Sequence, residues 1–351
     1  MIEYRRGLIR RFSSPRRRGD GATLELVSAL EIVDPADDAS YGRFHDVYLA
    51  CYDRPFDQPY GAPEKRVVLS DDAYGRHTLV LVREGDVGLG GGWVSLPLKD
   101  NREDAYVEVF VESSRRRQGI GSTILAALSD VARGAGRTRL RGEALWGVDA
   151  GPEGTKEPGP AFCTSHGFEV DILDAVRELP LPVADLSLPA VADGYRLLDW
   201  RACPDRWIVQ YAGLRRVLLQ EAPSGPVGHE NEFWDAERVR HEEREWHDQG
   251  RVAQTCAVVA PDGRLVGHTQ LVFAADGVEV YQWDTLVLPE HRGHGLGLAL
   301  KRHAMSAAAD LLVGRRRITT WNATSNTAMI AVNEALGYRQ TAWAAELVAT
   351  V

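Results

Sequence analysis

The stretch LPEHRGHGLGLALK, Leu288 to Lys301, sets Arg292, Gly293, His294, Gly295, Leu296 and Gly297 in the pattern R-x-x-G-x-G. A helix interior disfavours glycine by about 1 kcal/mol per residue relative to alanine, so the use of these glycines lies in the backbone they expose. A turn poor in side chains, placed between a strand and a helix, leaves the first N–H groups of the helix pointing outward. The helix dipole adds positive potential there, and the two together make a phosphate site. The pattern returns earlier as Arg116, Arg117, Gln118, Gly119, Ile120 and Gly121. It lacks the Lys-Ser/Thr that ends a P-loop and the spacing of the dinucleotide G-x-G-x-x-G.

The elements around each loop give it the required setting. The apolar runs AYVEVFV (Ala105 to Val111) and VEVYQWDTLVL (Val278 to Leu288) precede the loops and are predicted strands. Ala- and Leu-rich segments with helical periodicity follow them. Each half then shows another strand-like run, RTRLRGEALW or RRRITTWNAT, and a short helix ending in Gly-aromatic, Gly167-Phe168 or Gly337-Tyr338. Gly119 and Gly295 lie 176 positions apart, a domain length and not a solenoid period. The spacing predicts a tandem: an Arg-rich arm over 1–22, a first domain over 23–189 and a second over 190–351. The Pro-rich segment from Leu179 to Gly194 reads as the crossover, with the boundary near Ala190.

Composition limits the function. The chain has 351 residues, 44% of them hydrophobic and 26% charged, as a globular protein with real cores requires. Its net charge of -9 argues against nucleic acid as the main partner; it suits a cationic small substrate, and solubility alone explains it as well. The four cysteines, Cys51, Cys163, Cys203 and Cys256, have no metal or redox spacing and read as reduced thiols. No metal site is predicted. No run approaches the ~18 apolar residues of a membrane span, and the arm lacks the apolar stretch of a signal peptide, so a cytoplasmic location is expected.

On TLVLPEHRGHGLGLALK with NTAMIAVNEALGY, and on VFVESSRRRQGIGSTIL with AFCTSHGF, the chain resembles the GNAT superfamily of acyl-CoA-dependent N-acyltransferases. The resemblance implies an α+β fold of two tandem domains, each a mixed, mostly antiparallel sheet flanked by helices. Their order is similar to that of the mycothiol synthase family. It also implies acetyl-CoA as cofactor and the amine of a small molecule as acceptor. Arg292 to Gly297 would hold the CoA pyrophosphate, and Leu286, Val287 and Leu288 would meet the pantetheine arm and acyl carbonyl. Val109 and Val111, with Arg116 to Gly121, are the matching cofactor positions in the first half. Asn322 and Asn326 stand where the family places an asparagine against pantetheine, although both also suit helix caps. The family's proton donor, a Tyr four residues before Gly-aromatic, is replaced by Asn333 in one half and Cys163 in the other. Asn333 can hydrogen-bond a thiolate but cannot supply an acidic proton.

Alternation along the strand places Asp284, Leu286 and Leu288 on one face, making Asp284 the first choice for the base that accepts the amine proton. His268, in VGHTQL, is the second, and a structural role suits either residue. The acidic, aromatic loop from Glu221 to Arg238 falls where the family builds its acceptor pocket, so Glu230, Glu232 and Trp234 are candidate substrate contacts; a solvated charge cluster is the alternative. The first half lacks the Pro, Asn and Tyr of the family pattern and is expected to bind CoA weakly or to serve as a structural partner. Two other functions stay open: an acyl-CoA-binding regulator without turnover, and a transferase that takes its group from aminoacyl-tRNA, suggested by the arm.

Overall fold

β-branched runs bounded by turn residues form the strands, and the Ala/Leu-rich segments form the helices. The computed structural model describes every residue except 1–9, 16–24, 55, 57, 184, 188–190, 276 and 278. Most of the Arg-rich arm therefore lies outside the described residues. Its part Arg10–Pro15 (β1) is a strand paired antiparallel with Glu25–Val33 (β2).

The chain divides into two compact units, Met1–Glu143 with Val348–Val351, and Ala144–Leu347. In the first, helices α1 (Asp38–Ala50) and α2 (Ala62–Val68) precede strands β3 (Gly75–Glu84), β4 (Val87–Pro97) and β5 (Asp104–Val111). Helix α3 (Ile120–Gly134) and strand β6 (Arg139–Gly147) follow. The strands lie side by side in the order β1-β2-β3-β4-β5-β6, antiparallel except for the parallel pair β5–β6. Tyr41, Phe44 and Tyr48 of α1 pack on Leu79, Leu81 and Trp93 of the sheet.

The second unit begins with α4 (Pro158–Ser165), β7 (Glu169–Pro180) and β8 (Arg196–Trp200). Helices α5 (Asp205–Glu221) and α6 (Ala236–Asp248) lead to β9 (Val252–Val259), β10 (Leu265–Phe273) and β11 (Glu279–Val287). Then come α7 (Leu296–Ala307), α8 (Ala309–Leu312), β12 (Arg317–Ala323), α9 (Thr327–Leu336) and β13 (Arg339–Thr350). The strand order is β13-β7-β12-β11-β10-β9-β8, with β11–β12 parallel. Apolar residues cover both faces: Leu296, Leu300 and Ala304 of α7 pack on Val258, Leu271 and Val280, while Ile208, Tyr211 and Leu214 of α5 pack on Ala257 and Leu286. β9 and β10 are accordingly buried almost throughout, their polar residues Gln254, Thr255, His268, Thr269 and Gln270 included.

The compact units do not follow the boundary expected near Ala190. β7 pairs antiparallel with β12, Pro180 opposite Arg317 and Asp174 opposite Ala323, and so belongs to the second unit. The chain's last residues instead join the first, where the Val351 N–H donates to the Thr138 carbonyl at 3.0 Å. Strand pairing over such sequence separations leaves no local signal.

Candidate active site

In the second unit, β11 and β12 pair only from Glu279 to Tyr281 and from Arg317 to Thr319, although both strands continue, to Val287 and Ala323. The closed end is clamped by a nearly buried ion pair: Arg317 Nε lies 2.6 Å from Glu279 Oε2, and its Nη1 lies 2.8 Å from Glu178. The hydroxyl of Thr320 then donates to the Gln282 carbonyl at 3.1 Å. Beyond it the strands part. A bulge contributes, because Trp283 and Asp284 together face Gln270 between the pairs Leu271–Gln282 and Thr269–Thr285. Such an insertion bends its strand and turns side chains in a new direction, here Asp284 toward α5.

Backbone polarity in the opening follows from register. The Leu288 N–H donates to Val266 at 2.9 Å, so two-residue alternation points the polar groups of Leu286 and Leu288 at β10. Those of Val287 and Thr285 point into the opening. Of the three residues expected at the cofactor, Val287 turns its backbone groups into the opening, as Thr285 does, while Leu286 and Leu288 turn theirs to β10.

Past β11 the chain makes a short turn and enters α7 through Gly293 and Gly295, whose φ angles are +83° and +69°. These left-handed conformations cost a residue with Cβ about 1 kcal/mol or more, which is the reason for glycine there. No side chain caps α7, and its first N–H bond runs from Ala299 to the Gly295 carbonyl. The N–H groups of Leu296, Gly297 and Leu298 therefore face outward. Helices α2, α4, α5 and α8 also start without a side-chain cap, whereas Asp37, Asp235 and Asn326 cap α1, α6 and α9. It is the pair of left-handed glycines that sets the start of α7 apart. An uncapped helix start behind two left-handed glycines fits an anionic pyrophosphate. Arg292 braces the loop: its Nε donates to the Val287 carbonyl at 3.0 Å and its Nη2 to Glu221 at 2.6 Å. His294 lies against the Tyr195 ring, 5.4 Å between centroids.

The first unit repeats this design. β5 and β6 pair only from Asp104 to Tyr106 and from Arg139 to Arg141, clamped by a buried Asp104–Arg141 contact of 2.7 Å. The Glu112 N–H donates to Leu89, so Val109 and Val111 have the parity that faces the opening. Arg116 bonds the Val111 carbonyl and Asp53, as Arg292 does Val287 and Glu221. Gly119 is left-handed at φ +83°, and α3 starts at Ile120 without a side-chain cap, so Ile120 and Gly121 present backbone N–H groups beside Gln118. Arg117, standing where the other loop has Gly293, also takes a positive φ of +64°, a conformation rare for arginine.

On the α5–α6 face, Asp284 Oδ2 lies 2.9 Å from Arg215 Nε, an ion pair whose angle is not that of a hydrogen bond. The same guanidinium is held bidentately by Glu242 at 2.7 and 2.9 Å and stacks on Trp234 at 4.0 Å. Burial alone would lower the Arg215 pKa, but Glu242 and Asp284 keep it well above its ordinary value. His268 is fully buried on this face; burial, then the Arg215 charge, holds its pKa at about 3, so its ring is neutral. Trp234, a candidate substrate contact, is a core side chain between Arg215 and Arg238. Glu232 is turned inward too, accepting from Trp234 Nε1 and Arg238, whereas Glu230 is exposed.

Asn326 caps α9 through the Met329 N–H, the structural one of its two expected roles. Asn333 Nδ2 donates to Asn322 Oδ1 at 2.7 Å, joining α9 to β12 at the opening. Sequence reasoning missed Arg215 and Glu242, and also Asp174 of β7. Burial and the Glu346 charge push the Asp174 carboxyl up to about 6, and His229 pairs with Glu346 at 2.7 Å. Lys301 of α7 was missed as well: it is 1% exposed, and burial brings its pKa down to about 7.

The Acetyltransferase (GNAT) family matches the chain twice, over residues 43–143 and 218–338. No curated protein matches it. Among solved structures, a tandem GNAT protein from the clavulanic acid biosynthesis pathway, solved without acetyl-CoA, is 27% identical with a TM-score of 0.76, over 92% of this chain and 98% of that one. A GCN5-related N-acetyltransferase from Sphaerobacter thermophilus superposes at a TM-score of 0.63 with 15% identity, over 92% and 95%. A putative acetyltransferase from Pyrococcus horikoshii does so at 0.56 with 11%, over 95% and 93%; these two show the shared fold. Two parted sheets, each followed by a glycine turn and an uncapped helix, thus coincide with two family matches: the chain belongs to the GNAT acetyltransferase family as a tandem of two such domains.

Proposed function

We propose that the chain transfers an acetyl group from acetyl-CoA to the primary amine of a small molecule by direct attack, with the second unit as its catalytic site. One observation carries this reading: β11 parts from β12 after Tyr281, and the same strand leads into the uncapped start of α7. Backbone donors and an anion site thus share one continuous segment. The N–H groups of Leu296, Gly297 and Leu298 would hold the pyrophosphate. Acyl-CoA would bring the thioester: the amine nitrogen attacks its acyl carbon, the tetrahedral adduct collapses with cleavage of the C–S bond, and CoA leaves as a thiolate that takes a proton from solvent. The Val287 and Thr285 N–H groups would stabilise negative charge developing on an acyl oxygen in the opening. Asp284, fixed by Arg215, would orient the amine and take its proton. Buried His268, neutral at working pH, would pack against the Tyr211 ring beside the pocket without carrying charge. The free cysteines suit the reducing cytoplasm.

A second reading, acyl-CoA binding without turnover, is favoured by Asn333, which is engaged with Asn322 where the family has its acidic tyrosine. A panel of small amines assayed for CoA release separates the two. Turnover in wild type, reduced ~10²–10⁴-fold in Asp284→Asn while acetyl-CoA still binds, supports catalysis. Acetyl-CoA binding with no amine-dependent release across the panel would favour the second reading.

A further inference from the structure

The first unit contains a buried cation that neither its anion loop nor its ion-pair clamp uses. Lys65 of α2 is 4% exposed, and its ammonium lies over three aromatic rings: Trp93 at 3.7 Å, Tyr60 at 5.0 Å and Tyr48 at 5.2 Å from the centroids. Burying an ammonium is costly, and the negative faces of aromatic rings are among the few surroundings that offset it. The rings come from separate elements and are held in place by groups other than the lysine. Tyr48 stands on α1 and Trp93 on β4, in edge-to-face contact at 6.2 Å. Tyr60 is fixed on both sides, its carbonyl 2.9 Å from His45 Nε2 and its N–H donating to the Tyr48 hydroxyl at 3.4 Å. The cage is thus built independently of its occupant.

Its location suggests what it is built for. Trp93 lies directly opposite Glu108 of β5, so both side chains are on the same face of the sheet. Glu108 stands three residues before Val111, whose carbonyl receives Arg116, just as Asp284 stands three before Val287, whose carbonyl receives Arg292. In the proposed reaction that face is where an acceptor amine arrives.

We propose that Trp93, Tyr48 and Tyr60 form an alkylammonium-binding site and that Lys65 is its resident ligand, an internal stand-in for an amine. Tethering gives Lys65 a high effective concentration, so a free amine reaches the cage only where the lysine is removed. The cage stands on the first unit's geometry alone; equating it with an acceptor pocket rests on the transferase reading, and the test below involves no acyl transfer.

Full-length Lys65→Ala lacks the propylammonium portion of the side chain, so propylammonium chloride is the probe and 1-propanol its uncharged counterpart. Thermal melts of wild type, Lys65→Ala and Lys65→Met are compared with each additive. Both variants are expected to melt several degrees below wild type. Propylammonium should raise the Tm of Lys65→Ala saturably, with an apparent affinity at least roughly tenfold above that of 1-propanol, and leave wild type unmoved. Equal effects of the two additives, or a Lys65→Met protein as stable as wild type, would overturn the proposal by showing that the rings require only a hydrocarbon. If Lys65→Ala does not fold, Lys65→Met alone decides on that second criterion.

Discussion

Lys301 illustrates how one side chain can set a pH dependence. Its pKa falls from the ordinary 10.5 to about 7 on burial among the residues between α7 and Tyr338, whose ring is 5.7 Å from its ammonium. Between those two values the unfolded chain binds a proton that the folded chain does not, so stability rises with pH across that window. Below about pH 7 both states are protonated and the full cost of burying the ammonium is present. Lys301→Met should therefore stabilise the protein by a few kcal/mol at pH 6 and flatten this rise, as urea melts at a series of pH values would show. A variant as pH-dependent as wild type would place the titration elsewhere. Asp284 is legible in the sequence as a carboxylate on the strand entering the loop. Its partner Arg215 is not, because the contact joins a helix to a strand far along the chain and nothing near either residue encodes it.

At the scale of elements, the opening depends on a contrast between a clamped end and a free one. Glu279 and Arg317 hold the first three pairs of β11 and β12, and the bulge at Trp283–Asp284 turns β11 away beyond them. Replacing Glu279 with Gln should cost about 3 kcal/mol, the low end for breaking a buried pair because Glu178 still faces Arg317. Chemical denaturation measures this; a loss under ~0.5 kcal/mol would mean that hydrogen bonding between the strands holds the closed end without the charge. The glycine loop and the helix after it are readable from sequence because their causes are local: positive φ at Gly293 and Gly295 and an absent cap. The bulge is not, since HPHP alternation carries no mark of one extra residue. The family resemblance marks Leu286, Val287 and Leu288 together; only the pairing register separates them, by turning the backbone groups of Val287 and Thr285 into the opening.

At the scale of the molecule, duplication is visible twice, in sequence as a 176-residue repeat and in structure as two loops braced by the same arginine contact. The repeat does not reveal which strand completes which sheet, so β7 and the chain's last residues fall in units the sequence did not suggest. The central claim is that the uncapped start of α7 holds acyl-CoA for transfer. Gly297 lies in the first turn of that helix, and a Cβ there would meet nothing nearer than Val332 at 3.9 Å. Glutamate is favourable at such a position for the helix and unfavourable for a phosphate beside it. The most direct measurement is calorimetric titration of acetyl-CoA into wild type and Gly297→Glu, with melting temperature and CoA release measured on the same samples. The expected result is a variant that melts no lower than wild type, binds one acetyl-CoA fewer per chain and shows no turnover. Unchanged stoichiometry and turnover in the variant would contradict the assignment.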